Sequence, residues 1–152
     1  MPLLGQDLSG SLSRRVAILG PGLIGGSLAW SQSRRKIVAV EPETSCALNA
    51  ALKAGAPVDV EVSGIAANAL GARRIGAICF DLAKAQGISS LLVSDDAIAS
   101  AQKLLWHEAR QLVEPAGATA LAALMSGAYQ PEPGERVAVL ICGANPSNDS
   151  LA

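Results

Sequence analysis

Apolar residues in this chain gather in short unbroken runs instead of alternating with polar ones. Val16–Leu19, Ile37–Val40, Leu91–Val93 and Val137–Cys142 are apolar throughout and rich in β-branched residues. Runs of this kind suit strands covered on both faces, since a strand with one wet face alternates. Gly20-Pro21-Gly22 stops the first run and Glu41-Pro42 ends the second. Between the runs, helical spacing takes over. Leu23–Ser33 predicts a helix whose small residues Gly25, Gly26, Ser27 and Ala29 allow close approach to a sheet. Thr44 predicts the N-cap of a helix through Lys53, closed by Gly55. Residues 56–64 read as extended, and Ile65–Gly71 and Arg74–Gln86 as helices. Ser94-Asp95-Asp96 is a cap cluster for a long helix to about Val113, which Glu114-Pro115 breaks. Ala116–Met125 reads as an Ala-rich helix and Pro131–Glu135 as a turn. Strand–helix alternation predicts an α/β fold of three layers, a mostly parallel sheet with helices on both faces. The pattern fits one domain over residues 14–147, with a loose leader at 1–13, a short tail at 148–152 and no internal repeat.

Composition narrows the class. The 152 residues are long enough for one real core, and 50% hydrophobic content with 16% charge excludes a disordered chain. No apolar run reaches bilayer-spanning length and no charged-then-apolar signal opens the chain, so the expectation is a soluble cytoplasmic protein without a membrane partner. A net charge of −1 gives no electrostatic footprint for nucleic acid. Arg34, Arg35 and Lys36 read as a solvated strand edge. Cys46, Cys79 and Cys142 are odd in number, widely spaced and free of any CxxC pair, which argues against a disulfide framework or zinc site, and no metal is expected. His107 is the one histidine. It lies in a helical pattern with no second base nearby, so it reads as a surface or capping residue and not as a triad member.

The segment VAILGPGLIGGSLAW sets a glycine turn between a strand and a helix. Glycine permits the sharp turn, and the free N–H groups at the helix start favour an anion. One reading is a phosphate-binding loop; the other is a tight turn that binds nothing. Gly20, Gly22 and Gly25 satisfy G-x-G-x-x-G and Glu41 ends the next strand, which is the dinucleotide fingerprint with its acidic ribose ligand. Ile18–Ala29 resembles the opening of prephenate dehydrogenases, so an NAD-binding module is an alternative.

From Ile37 onward the chain resembles the threonine/serine dehydratases, in the tryptophan-synthase-β-like fold of pyridoxal-phosphate enzymes (fold type II). The matching stretches are IVAVEPE (37–43), ALKAGAPVDVEVSGIAANALGARRIG (51–76), LLVSDDAI (91–98), LLWHEARQLVEPAGATALAALMSGAY (104–129) and GERVAVLICGAN (134–145). They stand in the order and spacing of the C-terminal half of that family, as part of its large domain. The glycine loop fits the same frame. The resemblance implies that Leu19, Gly20, Pro21, Gly22 and Leu23 hold the 5′-phosphate of pyridoxal phosphate. Leu19 and Pro21 stand where the family has glycine, and proline has no N–H to donate, so weak or absent cofactor binding is expected. The resemblance further implies that Cys142, in Cys142-Gly143-Ala144-Asn145, faces the pyridine nitrogen, with Asn145 beside it. A buried cysteine acting as a small hydrophobe is the plainer alternative. Glu114 matches a family acid near the ring, though bare it reads as a helix-ending carboxylate. Asn68 lies in a loop expected beside the ring. Glu41 matches a cation ligand of some relatives, but its companion position falls near Ala47, which cannot coordinate. Trp30 and Trp106 read as packing residues.

The family's catalytic residue is a lysine that forms a Schiff base with the cofactor, in a Ser-x-Lys-x-Arg-Gly context. None of Lys36, Lys53, Lys84 and Lys103 has that context, so no catalytic residue is assigned. The resemblance implies a lyase acting on a small amino acid, L-threonine or L-serine, to give the 2-oxo acid and ammonia. The expectation is that this chain is a C-terminal fragment, inactive alone, whose partner is the missing N-terminal half or a homologous subunit. A catalytically dead partner of a complete homologue is the remaining alternative.

Overall fold

A computed structural model describes residues 15–19, as backbone, and 36–143. The expected leader, the glycine loop from Gly20, the helix Leu23–Ser33, Asn145 and the tail lie outside the described residues. Four strands appear among them: β1 (Arg15–Leu19), β2 (Lys36–Pro42), β3 (Ser89–Val93) and β4 (Arg136–Val139). Five helices accompany them: α1 (Ala47–Ala54), α2 (Ala67–Leu70), α3 (Ala77–Ala85), α4 (Asp95–Ala109) and α5 (Pro115–Met125). The strands form one sheet in the order β3-β2-β1-β4, and every pairing is parallel.

β2 shows why its sequence does not alternate. Val38 and Val40 point to one face, into a core with Val93, Ile98, Ala101, Leu105 and the alanines of α5. Ala39 points to the other, against Leu48 of α1 and Ala83 of α3. Helices α4 and α5 thus cover one face, α1 and α3 the other, and the three-layer reading holds. Burying each valine contributes roughly 1.5–3 kcal/mol. The residues that helix α5 buries between Ala116 and Ala123 are all small, alanines with Gly117 and Thr119, which permits close approach to α4 and the sheet. Thr119, fully buried there, donates its hydroxyl to the Pro115 carbonyl at 3.0 Å.

Several element limits differ from expectation, each for a local reason. The helix expected over Ile65–Gly71 is one turn, Ala67–Leu70. The helix expected from Arg74 begins at Ala77. The Val60 N–H bonds to the Arg73 carbonyl at 2.8 Å, which ties that stretch to the segment before it, and Arg73 and Arg74 reach Glu61 and Asp59 in exposed ion pairs. Strand β4 ends at Val139 and not at Cys142, because the chain beyond it leaves the sheet to meet α5; the Glu114 N–H donates to the Gly143 carbonyl at 3.2 Å. Ser94 caps α4 as expected, accepting from the Ala97 N–H at 3.3 Å. Gly55 closes α1 in the left-handed conformation, also as expected.

Helix α4 stops at Ala109, short of Val113. Arg110 takes the left-handed conformation at φ 53°, and the Gln111 N–H closes the turn on the Leu105 carbonyl at 3.0 Å. Buried Gln102 then fastens the returning chain by donating to the Val113 carbonyl at 2.9 Å. A side chain in the left-handed region carries a steric cost that glycine avoids. Replacing Arg110 with glycine is therefore expected to stabilise the fold by about 0.5–1 kcal/mol, read from the denaturant midpoint.

Candidate functional site

Strand order decides where a site can form. From β1 the chain moves to β2 and then β3, and later returns to the opposite side of β1 as β4. The carboxyl edge of β1 is thus where the strand order reverses, the crevice in which open parallel sheets bind ligands. Ile18 pairs with Val139, so β1 and β4 end beside each other at that edge. Leu19 is the last residue of β1. Gly20, Pro21, Gly22 and Leu23 follow it, outside the described residues.

On the β4 side, Cys142 is exposed and Gly143 half-buried. Two glycines define their seat. A side chain on Gly117 would place its Cβ 1.6 Å from the Cys142 carbonyl oxygen, so only glycine lets the strand end lie against α5. Gly143, at φ 82°, lies so close to Glu114 that a Cβ would fall 1.9 Å from Oε1. Cys142, Gly143 and Glu114 therefore form one cluster, with the thiol exposed and the carboxylate half-buried beside the backbone. Asn68 is exposed on α2, the short helix that follows α1. Asn145 lies outside the described residues.

A thiol, a carboxylate and close-packed backbone suit the ring end of a heteroaromatic cofactor, so the residues on the β4 side fit pyridoxal phosphate.

Glu41 does not stand as a ribose ligand. Its side chain is 2% exposed and both oxygens are taken: Oε1 accepts from the Leu48 N–H at 2.8 Å, and Oε2 from the Asn49 N–H at 2.7 Å and the Ser90 hydroxyl at 2.8 Å. Glu41 is thus the cap of α1, the role expected of Thr44. Cys46, the residue before α1, makes no side-chain cap bond. Burial pushes the Glu41 carboxyl above its ordinary range, and its three donors pull it part of the way back.

His107 is exposed in the last turn of α4, where a cation favours the helix dipole. Among the described residues no group of three His, Cys, Asp or Glu is placed to hold a metal, and no helix is long and apolar enough to cross a membrane. Lys36, Lys53, Lys84 and Lys103 are all exposed. Lys36 begins β2, at the opposite edge of the sheet from Cys142, with its ammonium 5.5 Å from the Tyr129 ring centre. Sequence reasoning passed over Gly117, although a lone glycine inside an alanine helix is disfavoured by about 1 kcal/mol and so signals close approach.

A family model described as pyridoxal-phosphate dependent enzyme matches residues 16–143. The match opens ahead of the glycine loop, which therefore falls inside this frame and not a dinucleotide-binding one. The biosynthetic L-threonine dehydratase of Salmonella typhimurium is 40% identical over 111 residues, covering 72% of this chain and 22% of that protein. The phenylserine dehydratase of Ralstonia pickettii is 30% identical over 145 residues, covering 95% of this chain and 41% of that protein. Among solved structures, the T.th. threonine deaminase matches with a TM-score of 0.76 at 28% identity, over 88% of this chain and 50% of that one. The chain spans half or less of the length of these relatives.

Gly117→Ala is expected to destabilise by about 1–3 kcal/mol, since the Cys142 carbonyl must move, with the loss read by chemical unfolding. Glu41 gives a pH signature. Its folded-state value is the raised one, so its contribution is full below the ordinary glutamate range and is lost as pH rises through the raised value. The stability of wild type relative to Glu41→Gln should therefore fall with rising pH over that interval and then level off, as thermal melts across a pH series would show.

Proposed function

This chain belongs to the pyridoxal-phosphate dependent enzymes, and from that membership we propose that it is the cofactor-cradling half of a threonine/serine dehydratase-like lyase. The observation that carries the reading is the reversal of strand order at β1, which sets the end of β1 at Leu19 beside the end of β4, three residues before the exposed Cys142. In this reading Leu19 to Leu23 hold the phosphate, Cys142 and Asn145 meet the pyridine nitrogen, and Glu114 and Asn68 flank the ring, within one domain over 14–147.

When bound, pyridoxal phosphate supplies the electron sink that lets an amino acid lose its α-proton and a β-leaving group. The chain's own part is placement. A thiol is a weak donor and acceptor, so Cys142 orients the ring without holding a proton on its nitrogen as a carboxylate would. That choice suits β-elimination. Pro21 offers no N–H, and a hydrogen bond to a charged group is worth roughly 1.5–3 kcal/mol, so the phosphate is held weakly.

The four lysines are exposed and outside the family's lysine context, so the 152-residue chain has no residue to carry the α-proton and is inactive alone. Turnover needs a lysine-bearing half, with L-threonine or L-serine as substrate. The pure chain should release no 2-oxobutanoate from L-threonine, and steady release would refute the reading. In equilibrium dialysis it should retain pyridoxal phosphate in preference to NADH, and Pro21→Gly should tighten retention about tenfold or more. Retention of NADH without pyridoxal phosphate would overturn the assignment.

A further inference from the structure

The segment that carries Asn68 has little of its own to hold it in place. Helix α2 is four residues long with no buried side chain, far below the length at which a helix is stable alone. Of the two residues before it, Ile65 is 44% exposed and Ala66, a single methyl group, is buried. What fixes the segment is a set of polar links to the turn after β2. The Ser63 N–H donates to the Thr44 carbonyl at 2.9 Å, and the Ser45 hydroxyl donates to the Leu70 carbonyl. The turn itself is tied to β3 through the Glu43 N–H and the Val93 carbonyl at 2.9 Å.

At the centre of these links is Asp95, the first residue of α4. Its carboxylate does not cap its own helix, a task Ser94 performs. Instead Oδ1 accepts from the Thr44 hydroxyl at 3.2 Å and Oδ2 from the Ile65 N–H at 3.2 Å. Gly64, at φ 83°, lies against that pair so closely that a Cβ would fall 2.3 Å from Thr44 Oγ1 and 2.4 Å from Asp95 Oδ2. Asp96, the next residue, is exposed and makes no such link through its carboxylate.

We infer that Asp95 is a positioning residue: through Thr44 and the Ile65 amide it fixes the Gly64–Leu70 segment, and with it Asn68, at the carboxyl edge of the sheet. The latch stands on geometry alone, and only its service to a cofactor pocket rests on the function proposed above.

Hydrogen exchange and pyridoxal-phosphate dialysis on the full chain separate the two. Asp95→Ala and Thr44→Val should each speed exchange across residues 63–70 by about tenfold, with β2 and α5 unchanged. Thr44→Ser, which keeps the hydroxyl, should restore protection. Asp96→Ala removes the same charge from the same turn and should leave the segment as it is. Cofactor retention should fall at least about threefold in the two latch variants and return with Thr44→Ser. Unchanged exchange at 63–70 in both latch variants, or equal loosening by Asp96→Ala, overturns the latch. Faster exchange without weaker retention overturns its service to the pocket. A wild-type chain that retains no pyridoxal phosphate overturns the proposed function instead, while the exchange map still decides the latch.

Discussion

Strand β1 is bonded on both sides, to β2 and to β4, and all three run the same way. Parallel neighbours cannot be joined by a tight turn, so each connection must cross a face of the sheet and return to the starting edge. That obligation places helices on both faces and brings every strand's carboxyl end to one rim. The register of Ile18 with Val139 then makes the carboxyl ends of β1 and β4 neighbours. Gly117 completes the arrangement by letting the chain after β4 bend onto the start of α5, so that Cys142, Gly143 and Glu114 share a position.

Carboxylates act in this fold as fasteners between segments. Glu41 joins β2, α1 and β3, Asp95 joins α4 to two loops, and Glu135 accepts from the Tyr129 hydroxyl and the Glu132 N–H, each at 2.9 Å. Hydrogen bonds to charged groups contribute about twice as much as neutral ones, which suits places where little apolar surface is available. Tyr129 shows the reciprocal effect: burial, with Glu135 next, pushes its hydroxyl up to about 12. Ionised tyrosine is thus absent across the ordinary pH range, and the bond to Glu135 persists.

Architecture was legible in the sequence because it is written in local pattern. The unbroken apolar runs gave both-face burial, Ser94 and Gly55 marked helix ends, and the strand–helix alternation gave the parallel sheet. The family was legible because several segments agreed in order. What escaped were features set by distant partners. Thr44 has the chemistry of a cap, yet Glu41 reaches α1 first, and the competition is visible only when β2 and α1 are seen together. Arg110 ends a helix where glycine is usual, because Gln102 holds the chain beyond it. The apolar run to Cys142 outlasts β4, since α5 draws its last residues away. Glu41 fitted a dinucleotide motif by spacing, and burial removed it from contact with any ligand.

The pairing of β1 with β4 also bears on how the chain reaches its native form. Arg15 and Arg136 stand opposite each other although about 120 positions separate them, whereas the β2–β3 ladder closes a span of roughly 50. Contacts so remote reward the chain only after the intervening loop has lost its freedom, and such topologies fold slowly. The rim at which β1 and β4 end therefore rests on the pairing with the longest loop to close.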